Sequence, residues 1–303
     1  MKKYFFYLLS IVLLMTFGLV GCDKKPENKE PIFTLSQTTL TDGSIANRIT
    51  GLTEYGQTLQ DITIPATIDD IPVVEIASNA FKNQVNLFTV SFDRGSQVKK
   101  IGNNAFENCR SLNDIKLPNS INFVGDDAFS NCIKLTNITL SKNLVDLGAY
   151  AFAACTSLES ITLPSTLSTI NEFTFTGCLK LTSVTFSEGS IVSEIGERAF
   201  SGCSTLSSVM LPNSVTKIGA KAFRDCTNLV SINIPENVTL IGERAFENCI
   251  NLSIVTFLLH EDWSTSGLLV SSEIVAQPTL VAQYLSALYC ETEWTINNLE
   301  NEA

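Results

Sequence analysis

Apolar residues recur along the chain at a fixed distance of 23 or 25 residues. The clearest marker is the phenylalanine of an Ala-Phe pair or its equivalent, found at Phe81, Phe106, Phe129, Phe152, Phe175, Phe200, Phe223 and Phe246. Successive markers are separated by 25, 23, 23, 23, 25, 23 and 23 residues. A period in this range predicts a solenoid, because one such unit cannot bury its apolar face without a neighbour.

Further columns of similar residues keep the same register. Three residues after the marker, Cys occupies seven of the eight copies and Gln84 occupies the first. Six residues after it every copy has Leu, and positions nine and eleven hold Ile, Val, Leu or Phe. The resulting Leu-x-x-Ile-x-Leu pattern predicts a short strand whose Ile and second Leu point inward. The Ala-Phe segment is interpreted as a short helical or 3-10 piece on the opposite side.

This unit resembles the BspA-like, or treponemal-type, leucine-rich repeat. The repeat of that family runs roughly C-x-x-L-x-x-I-x-L-P-x-x-L-x-x-I-G-x-x-A-F, and residues 109–129 follow it position by position. The resemblance is strong over about residues 60–257. The fold class expected is an α/β-type repeat solenoid of eight coils, with short strands on one face, helical or 3-10 turns on the other, and a cap at each end. Members of the family are typically bacterial surface proteins linked to adhesion, which is the function that the resemblance implies.

Glycine recurs four residues before the marker. It is found at Gly102, Gly125, Gly148, Gly196, Gly219 and Gly242, which we call the glycine row, whereas Ala77 and Asn171 take its place in two copies. Two explanations remain open at this point. Either the corner has little room for a side chain, or its backbone has a positive φ.

The N-terminal residues 1–21 are predicted to be a lipoprotein signal peptide. Two lysines precede an apolar run from Tyr4 to Val20, and the sequence Leu-Val-Gly-Cys that ends at Cys22 matches a lipobox. Cleavage would leave a lipidated Cys22 followed by a charged, proline-containing tether over residues 22–31. An uncleaved anchor is the alternative, because the apolar run overlaps the length of a short membrane span.

Residues 32–75 are predicted to form an N-terminal cap. Ile32–Leu35 has the composition of a short strand, and Asp42-Gly43 is a turn signal. Asp61-Ile62-Thr63-Ile64-Pro65 echoes the strand-plus-proline segment of the repeat. Such a cap is needed because an open first coil would expose both core and strand edges.

The repeats themselves are assigned to residues 76–257, and residues 258–303 to a C-terminal cap. Between Thr279 and Tyr289, apolar residues occur at helical spacing. This pattern predicts a helix that closes the last coil, with Trp294 packed beside it. The alternative of a small-ligand site in this region has no supporting motif.

The chain carries more acidic than basic side chains. The 303 residues carry a formal net charge of −11, and 45% of them are apolar, which is enough for a packed core. An acidic chain is a poor candidate for nucleic-acid binding, because that affinity comes from Lys and Arg on phosphates. No nucleic-acid partner is therefore predicted. No cofactor is predicted either.

The cysteines and the single histidine give no sign of catalysis. Seven cysteines form the column Cys109, Cys132, Cys155, Cys178, Cys203, Cys226 and Cys249. No Cys-x-x-Cys or Cys/His pairing suggests a metal site, and stacked parallel side chains are poorly oriented for disulfides. We interpret them as buried free thiols that act as small apolar residues. Cys290 has no assigned role, and His260 is expected on the surface of the cap, so no enzyme is predicted.

The outward-pointing positions of the predicted strands form the candidate binding face. Stacked coils about 4.8 Å apart would arrange these side chains in two columns. The residues are Thr89, Ser91, Asp114, Lys116, Asn137, Thr139, Ser160, Thr162, Ser183, Thr185, Ser208, Met210, Ser231 and Asn233. The set is mostly neutral and rich in hydroxyls, which can hydrogen-bond a protein strand or a glycan. Ser and Thr also simply suit exposed strands, which is the alternative explanation.

These observations predict a lipid-anchored bacterial protein on the outer membrane and cell surface. Its expected partner is a protein or glycan of a host or a neighbouring cell, bound for adhesion, and its contact with the membrane is made by the lipid. A periplasm-facing lipoprotein with a structural or assembly role is the alternative. The sequence does not determine the oligomeric state.

Overall fold

A computed structural model describes residues 30–258, 263–265, 268–270, 277–288 and 292–296. From Pro31 onward these residues belong to one compact unit. The unit is a solenoid of about nine coils built from short strands, so the predicted repeat fold is confirmed. The predictions for Cys22, His260 and Cys290 concern residues outside the described part of the chain.

A hairpin and a short helix precede the repeats. The two antiparallel strands of the hairpin meet through a turn at Asp42 and Gly43. Helix α1 begins after Thr53, whose side-chain oxygen accepts a hydrogen bond from the Gly56 amide at 3.0 Å, the usual role of an N-cap. The elements of this region are β1 (Phe33–Thr39), β2 (Ile45–Leu52), α1 (Glu54–Thr58), β3 (Asp61–Ile64), β4 (Thr67–Ile68) and β5 (Ile71–Ile76).

One strand from each coil enters a parallel arrangement that we call the first ladder. It starts at β3 and continues with β6 (Thr89–Phe92), β8 (Asp114–Lys116), β10 (Asn137–Thr139), β12 (Ser160–Leu163), β14 (Ser183–Phe186), β16 (Ser208–Met210), β18 (Ser231–Ile234) and β20 (Ile254–Phe257). Strands pair in register, so Ser160 lies beside Ser183. Pairing is interrupted between β10 and β12 and between β14 and β16. Because β3 supplies a ninth strand, the first ladder is one rung longer than the eight coils predicted.

A second ladder, absent from the sequence prediction, is formed by the residues just before the glycine row. β2 and β5 start it, followed by β7 (Lys100–Ile101), β9 (Phe123–Val124), β11 (Asp146–Leu147), β13 (Thr169–Ile170), β15 (Glu194–Ile195), β17 (Lys217–Ile218) and β19 (Leu240–Ile241). In each pair the second residue is buried and the first points outward. This ladder is interrupted between β11 and β13. Most neighbouring coils are therefore joined by strand hydrogen bonds in both ladders, whereas the coils of β11 and β13 are joined by backbone hydrogen bonds outside the strands, such as that from the Tyr150 amide to the Glu172 carbonyl at 3.1 Å.

The C-terminal elements lie against the last coil. They are β21 (Trp263–Thr265), β22 (Leu268–Val270), α2 (Pro278–Gln283), a π-helical turn (Tyr284–Leu288) and β23 (Trp294–Ile296). β23 pairs antiparallel with β19 at the end of the second ladder. Trp263 and Trp294 are fully buried, and Leu285 joins the same core.

The marker phenylalanines form a continuous stack through the core. All eight rings are completely buried, and neighbouring ring centroids are 5.0–5.5 Å apart. From Phe106 to Phe246 the rings are tilted by only 3–8° from one another. The stack gives each coil an apolar contact with both neighbours, as a repeat that cannot stand alone requires.

The Ala-Phe segment consists of tight turns. It differs in this from the helical or 3-10 pieces that the sequence predicts. No helix is assigned within the described residues 76–257. Residues two before and two after the marker have positive φ, for example Asn104 at 58° and Asn108 at 61° around Phe106. Their amides donate to the next coil, from Asn104 to the Asp126 carbonyl and from Asn108 to the Ser130 carbonyl, both at 2.8 Å. Amides used between coils are not available for helical hydrogen bonds.

The glycine row exists because neighbouring coils approach one another closely. No member of the row has a positive φ. A Cβ atom at Gly148 would lie 2.4 Å from the Asp126 nitrogen and 2.4 Å from the Gly125 carbonyl carbon, both of which are backbone atoms. Of the two explanations left open by the sequence, lack of room is the correct one.

The seven cysteines of the column are buried and free, as predicted. Each thiol also donates a hydrogen bond to the carbonyl of the marker Phe in the preceding coil, with sulfur–oxygen distances of 3.0–3.2 Å. Burial raises the pKa of every thiol in the column, to about 12 at Cys109, Cys155 and Cys249. The column is therefore a structural part of the core, with thiols that remain protonated at neutral pH.

Candidate binding face

The first ladder brings the predicted binding residues together in two parallel rows on one surface. One row runs from Thr89 to Ser231 and the other from Ser91 to Asn233, and each side chain lies beside the corresponding one of the next paired strand. Thr89 and Ser231 are half-buried, and the other twelve residues are exposed. Between the two rows, the side chain of the middle residue points into the core, because successive side chains of a strand alternate in direction.

The same surface includes residues that the sequence analysis left out. Asp61 pairs with Thr89, and Thr63 pairs with Ser91, so β3 extends both rows by one rung. The signal was present in the sequence, because residues 61–65 echo the repeat strand. The segment lacks the marker Phe and the Cys, however, so the sequence alone places it in the cap.

Along the two rows, the polar side chains differ in whether they already make hydrogen bonds within the chain. On the first rungs, the Thr89 hydroxyl donates to the Asp61 carboxylate, and the hydroxyls of Thr63 and Ser91 are 2.8 Å apart. Within the described residues, the hydroxyls of Ser160, Ser183 and Ser208 make no hydrogen bond to the chain. The middle of the face therefore presents exposed hydroxyls that can bond to another molecule.

Charge is confined to one end of the face. Asp61, Asp114 and Lys116 lie on the first three rungs. The predicted residues on the rungs from β10 to β18 are all uncharged. Two shallow hollows open on this surface, one of about 290 Å³ lined by β6 and β8 and one of about 210 Å³ between β10 and β12. The face can thus offer neutral hydrogen bonds and small recesses, but little net electrostatic attraction.

In the part of the chain that the structure describes, no three His, Cys, Asp or Glu side chains are close enough to hold a metal ion together. Over the same residues, none of the helices has the length and apolar character to cross a bilayer.

Comparison with known proteins identifies the repeat. The BspA type Leucine rich repeat region matches in six copies, over residues 74–203 and 146–262. The chain belongs to this family. No curated protein matches the chain. BspA-type repeats, like leucine-rich repeats in general, serve as binding scaffolds and are generally not enzymes.

Solved structures show the same architecture. A leucine-rich repeat protein from T. pallidum is 28% identical, with a TM-score of 0.51, and the match covers 72% of this chain and 87% of that one. A leucine-rich repeat protein from Eubacterium ventriosum is 22% identical, with a TM-score of 0.50, and the match covers 63% of this chain and 59% of that one. The first structure supports the assignment to the repeat family, and the second shows only a similar fold.

Proposed function

We propose that this BspA-type repeat protein is a cell-surface binding protein that attaches to a protein or glycan through the first-ladder face. The observation that carries the proposal is the double row of exposed hydroxyl and amide side chains on the uncharged rungs. Neighbouring rungs repeat the same groups at about 4.8 Å, so one extended partner can contact several rungs at once. Adhesion to a host or a neighbouring cell is the function that fits this arrangement and the family.

The chemistry of the face favours a broad and shallow contact. A single hydrogen bond contributes a net free energy of about 0.5–1.5 kcal/mol, because the partner groups must first give up water. The predicted face holds no Tyr, Trp or Arg, the residues that most often dominate the binding energy of protein interfaces. A useful affinity therefore requires many rungs, and a linear glycan or an extended peptide meets that requirement.

The N-terminal sequence supplies the attachment in this proposal. A lipid on Cys22 would anchor the chain, since each buried CH₂ group contributes about 0.8 kcal/mol and a lipoprotein carries several acyl chains. The tether that follows would reach about 30 Å when fully extended. The solenoid would then stand clear of the bilayer with its first-ladder face accessible to a partner.

Converting three hydroxyls of the face to carboxylates is expected to abolish adhesion. The variant is Ser160→Glu, Ser183→Glu and Ser208→Glu, which places three negative charges on consecutive coils where a partner would hydrogen-bond. Beads coated with the purified chain are counted after washing on a cultured epithelial monolayer, and the variant is expected to retain less than about a tenth of the beads, because many weak contacts per bead are lost together.

The matched control carries the same charge change on another surface of consecutive coils. Ser168→Glu, Ser193→Glu and Thr216→Glu substitute exposed side chains just before the second-ladder strands. This control is expected to bind as the unchanged chain does. Equal adhesion of the two variants would reject the first-ladder face as the binding surface.

Protease treatment of intact cells tests the location. An immunoblot for the repeat region is expected to lose its signal while a cytoplasmic marker remains intact, because a surface-displayed solenoid is open to the enzyme. Protection of the repeats until the envelope is broken would instead support the alternative, a periplasm-facing lipoprotein with a structural role.

A further inference from the structure

A groove lies along the glycine row, on a different surface from the first-ladder face. It has a volume of about 680 Å³. The backbone of Gly196, Gly219 and Gly242 forms the floor of this channel, between two rows of neighbouring side chains. The channel runs from coil to coil, along the direction in which the repeats stack.

The floor of the groove offers no backbone group for strand pairing. The amides of Gly196, Gly219 and Gly242 each donate to the carbonyl of an isoleucine in the preceding coil at 2.7 Å. Their carbonyls accept from the alanine amides three residues later, at 3.2–3.3 Å. An occupant cannot add a β-strand here, but it can lay methylene groups on the flat floor and reach the walls with polar ends.

The walls carry most of the charge. The groove is lined by the ammonium group of Lys217 and by five carboxylates, which leaves a net charge of −4 on the lining at neutral pH; the carboxylates belong to Asp126, Glu172, Glu194, Glu197 and Glu293. Arg198, beside the lining, contacts Glu197 at 3.8 Å. Lys217 is already paired with Glu194 at 2.8 Å. Glu172 and Glu197 occupy equivalent positions on adjacent coils and are exposed to solvent. The groove is thus complementary to a positively charged occupant and repels nucleic acids and acidic glycans.

The distribution of these carboxylates separates two kinds of cationic occupant. A divalent metal ion needs several oxygen ligands that converge on one point. In the described residues the acidic side chains form no such group, because they are spread over successive coils of the groove. Separated carboxylates along a channel instead match separated cationic groups along a chain.

We propose that the glycine-floored groove binds an extended polypeptide segment that carries several lysine or arginine side chains. The aliphatic stems of these side chains lie on the glycine floor, and their charged ends pair with Glu172, Glu197 and the other wall carboxylates. This site uses a different surface from the first-ladder face, so it does not depend on the function proposed above. It gives the solenoid a second partner surface with the opposite recognition chemistry, charged instead of neutral.

Binding of a labelled lysine octapeptide to the purified full-length chain tests the groove. The variant Glu172→Gln with Glu197→Gln removes two exposed wall charges, and its dissociation constant is expected to rise about five- to tenfold, because each exposed ion pair contributes only modestly to binding. The control variant, Glu159→Gln with Glu236→Gln, changes the net charge equally at two exposed glutamates outside the groove. Its dissociation constant is expected to stay within about twofold of the unchanged chain.

The remaining outcomes decide against the groove. Equal weakening in both variants would mean that the peptide responds only to net charge, and no binding by the unchanged chain would overturn the proposal directly. Displacement of the peptide by Mg²⁺ well beyond that by NaCl of equal ionic strength would identify a divalent cation site instead. Thermal unfolding of each variant, expected to match the unchanged chain, shows that a change in affinity does not come from misfolding.

Discussion

Raising the pH from 8 to 10 is expected to destabilise the solenoid by an amount on the order of 10 kcal/mol. The cause is the column of seven buried thiols. In the folded chain burial raises the pKa of each thiol above its usual value of 9.0, to about 12 at Cys109, Cys155 and Cys249. In the unfolded chain the same thiols are exposed to water and ionise near their usual value.

The direction of the effect follows from proton binding. Below the usual pKa of 9.0 both states keep the thiol protons, and the column contributes its full stability. Between that value and about 12 the unfolded chain loses protons that the folded chain retains, so unfolding becomes more favourable as the pH rises. At pH 10 each thiol contributes a loss on the order of 1 kcal/mol, and seven thiols together account for the total. A loss of this size is comparable to the whole stability of many domains.

Urea denaturation at pH 7, 8, 9 and 10 measures this loss, and Cys178→Ala provides the control. The variant lacks one ionisable thiol, so its free energy of unfolding should fall less between pH 8 and 10 than that of the unchanged chain, by an amount on the order of 1 kcal/mol. All other ionisable groups are common to both proteins, so their contributions cancel in the difference. An identical pH dependence of the two proteins would contradict the role of the column.

Replacing Phe175 with alanine is expected to lower the free energy of unfolding by about 3–5 kcal/mol. Its ring is completely buried and lies between two others, with centroids 5.5 Å from that of Phe152 and 5.3 Å from that of Phe200. Truncation leaves a cavity in the middle of the stack, and the flanking rings cannot close it because hydrogen bonds hold their coils at a fixed spacing. Chemical denaturation monitored by circular dichroism gives the change.

Phe88→Ala removes the same atoms at an exposed position. The Phe88 side chain is 44% exposed, so its loss is expected to cost less than about 1 kcal/mol. Phe175→Leu, which keeps much of the apolar volume, should fall between the two alanine variants. If Phe175→Ala and Phe88→Ala were equally stable, the stack would not be an important source of stability.

Sequence periodicity is sufficient to predict the main architecture because the repeat is defined by side chains that recur at fixed positions. The marker Phe, the Cys column and the Leu six residues after the marker are all buried, as a shared core requires. The first ladder was predictable for the same reason, since its strands alternate between an inward aliphatic residue and outward polar ones. The candidate face followed from that alternation, and the structure places its fourteen residues in two rows.

The features missed by the sequence analysis are those formed by the backbone. Two-residue strands such as Lys100–Ile101 are too short to show an alternating pattern, so the second ladder left no signal. The turns around the marker depend on positive φ at residues that include Tyr150 and Phe173, which propensity does not predict. The groove was missed because its walls come from columns whose charges differ from coil to coil, so no single repeat contains the site.

The spacing of the coils also determines how the molecule responds to a stretching force. The hydrogen bonds between coils run along the direction in which the coils stack, so a pull on the two ends loads all the coil interfaces in series, and they open one after another. A rung occupies about 4.8 Å of that length, whereas its 23 residues span about 75–80 Å when fully extended. Each coil that detaches therefore lengthens the chain by about 70 Å while its neighbours remain folded. The solenoid can therefore extend in steps of one coil under force.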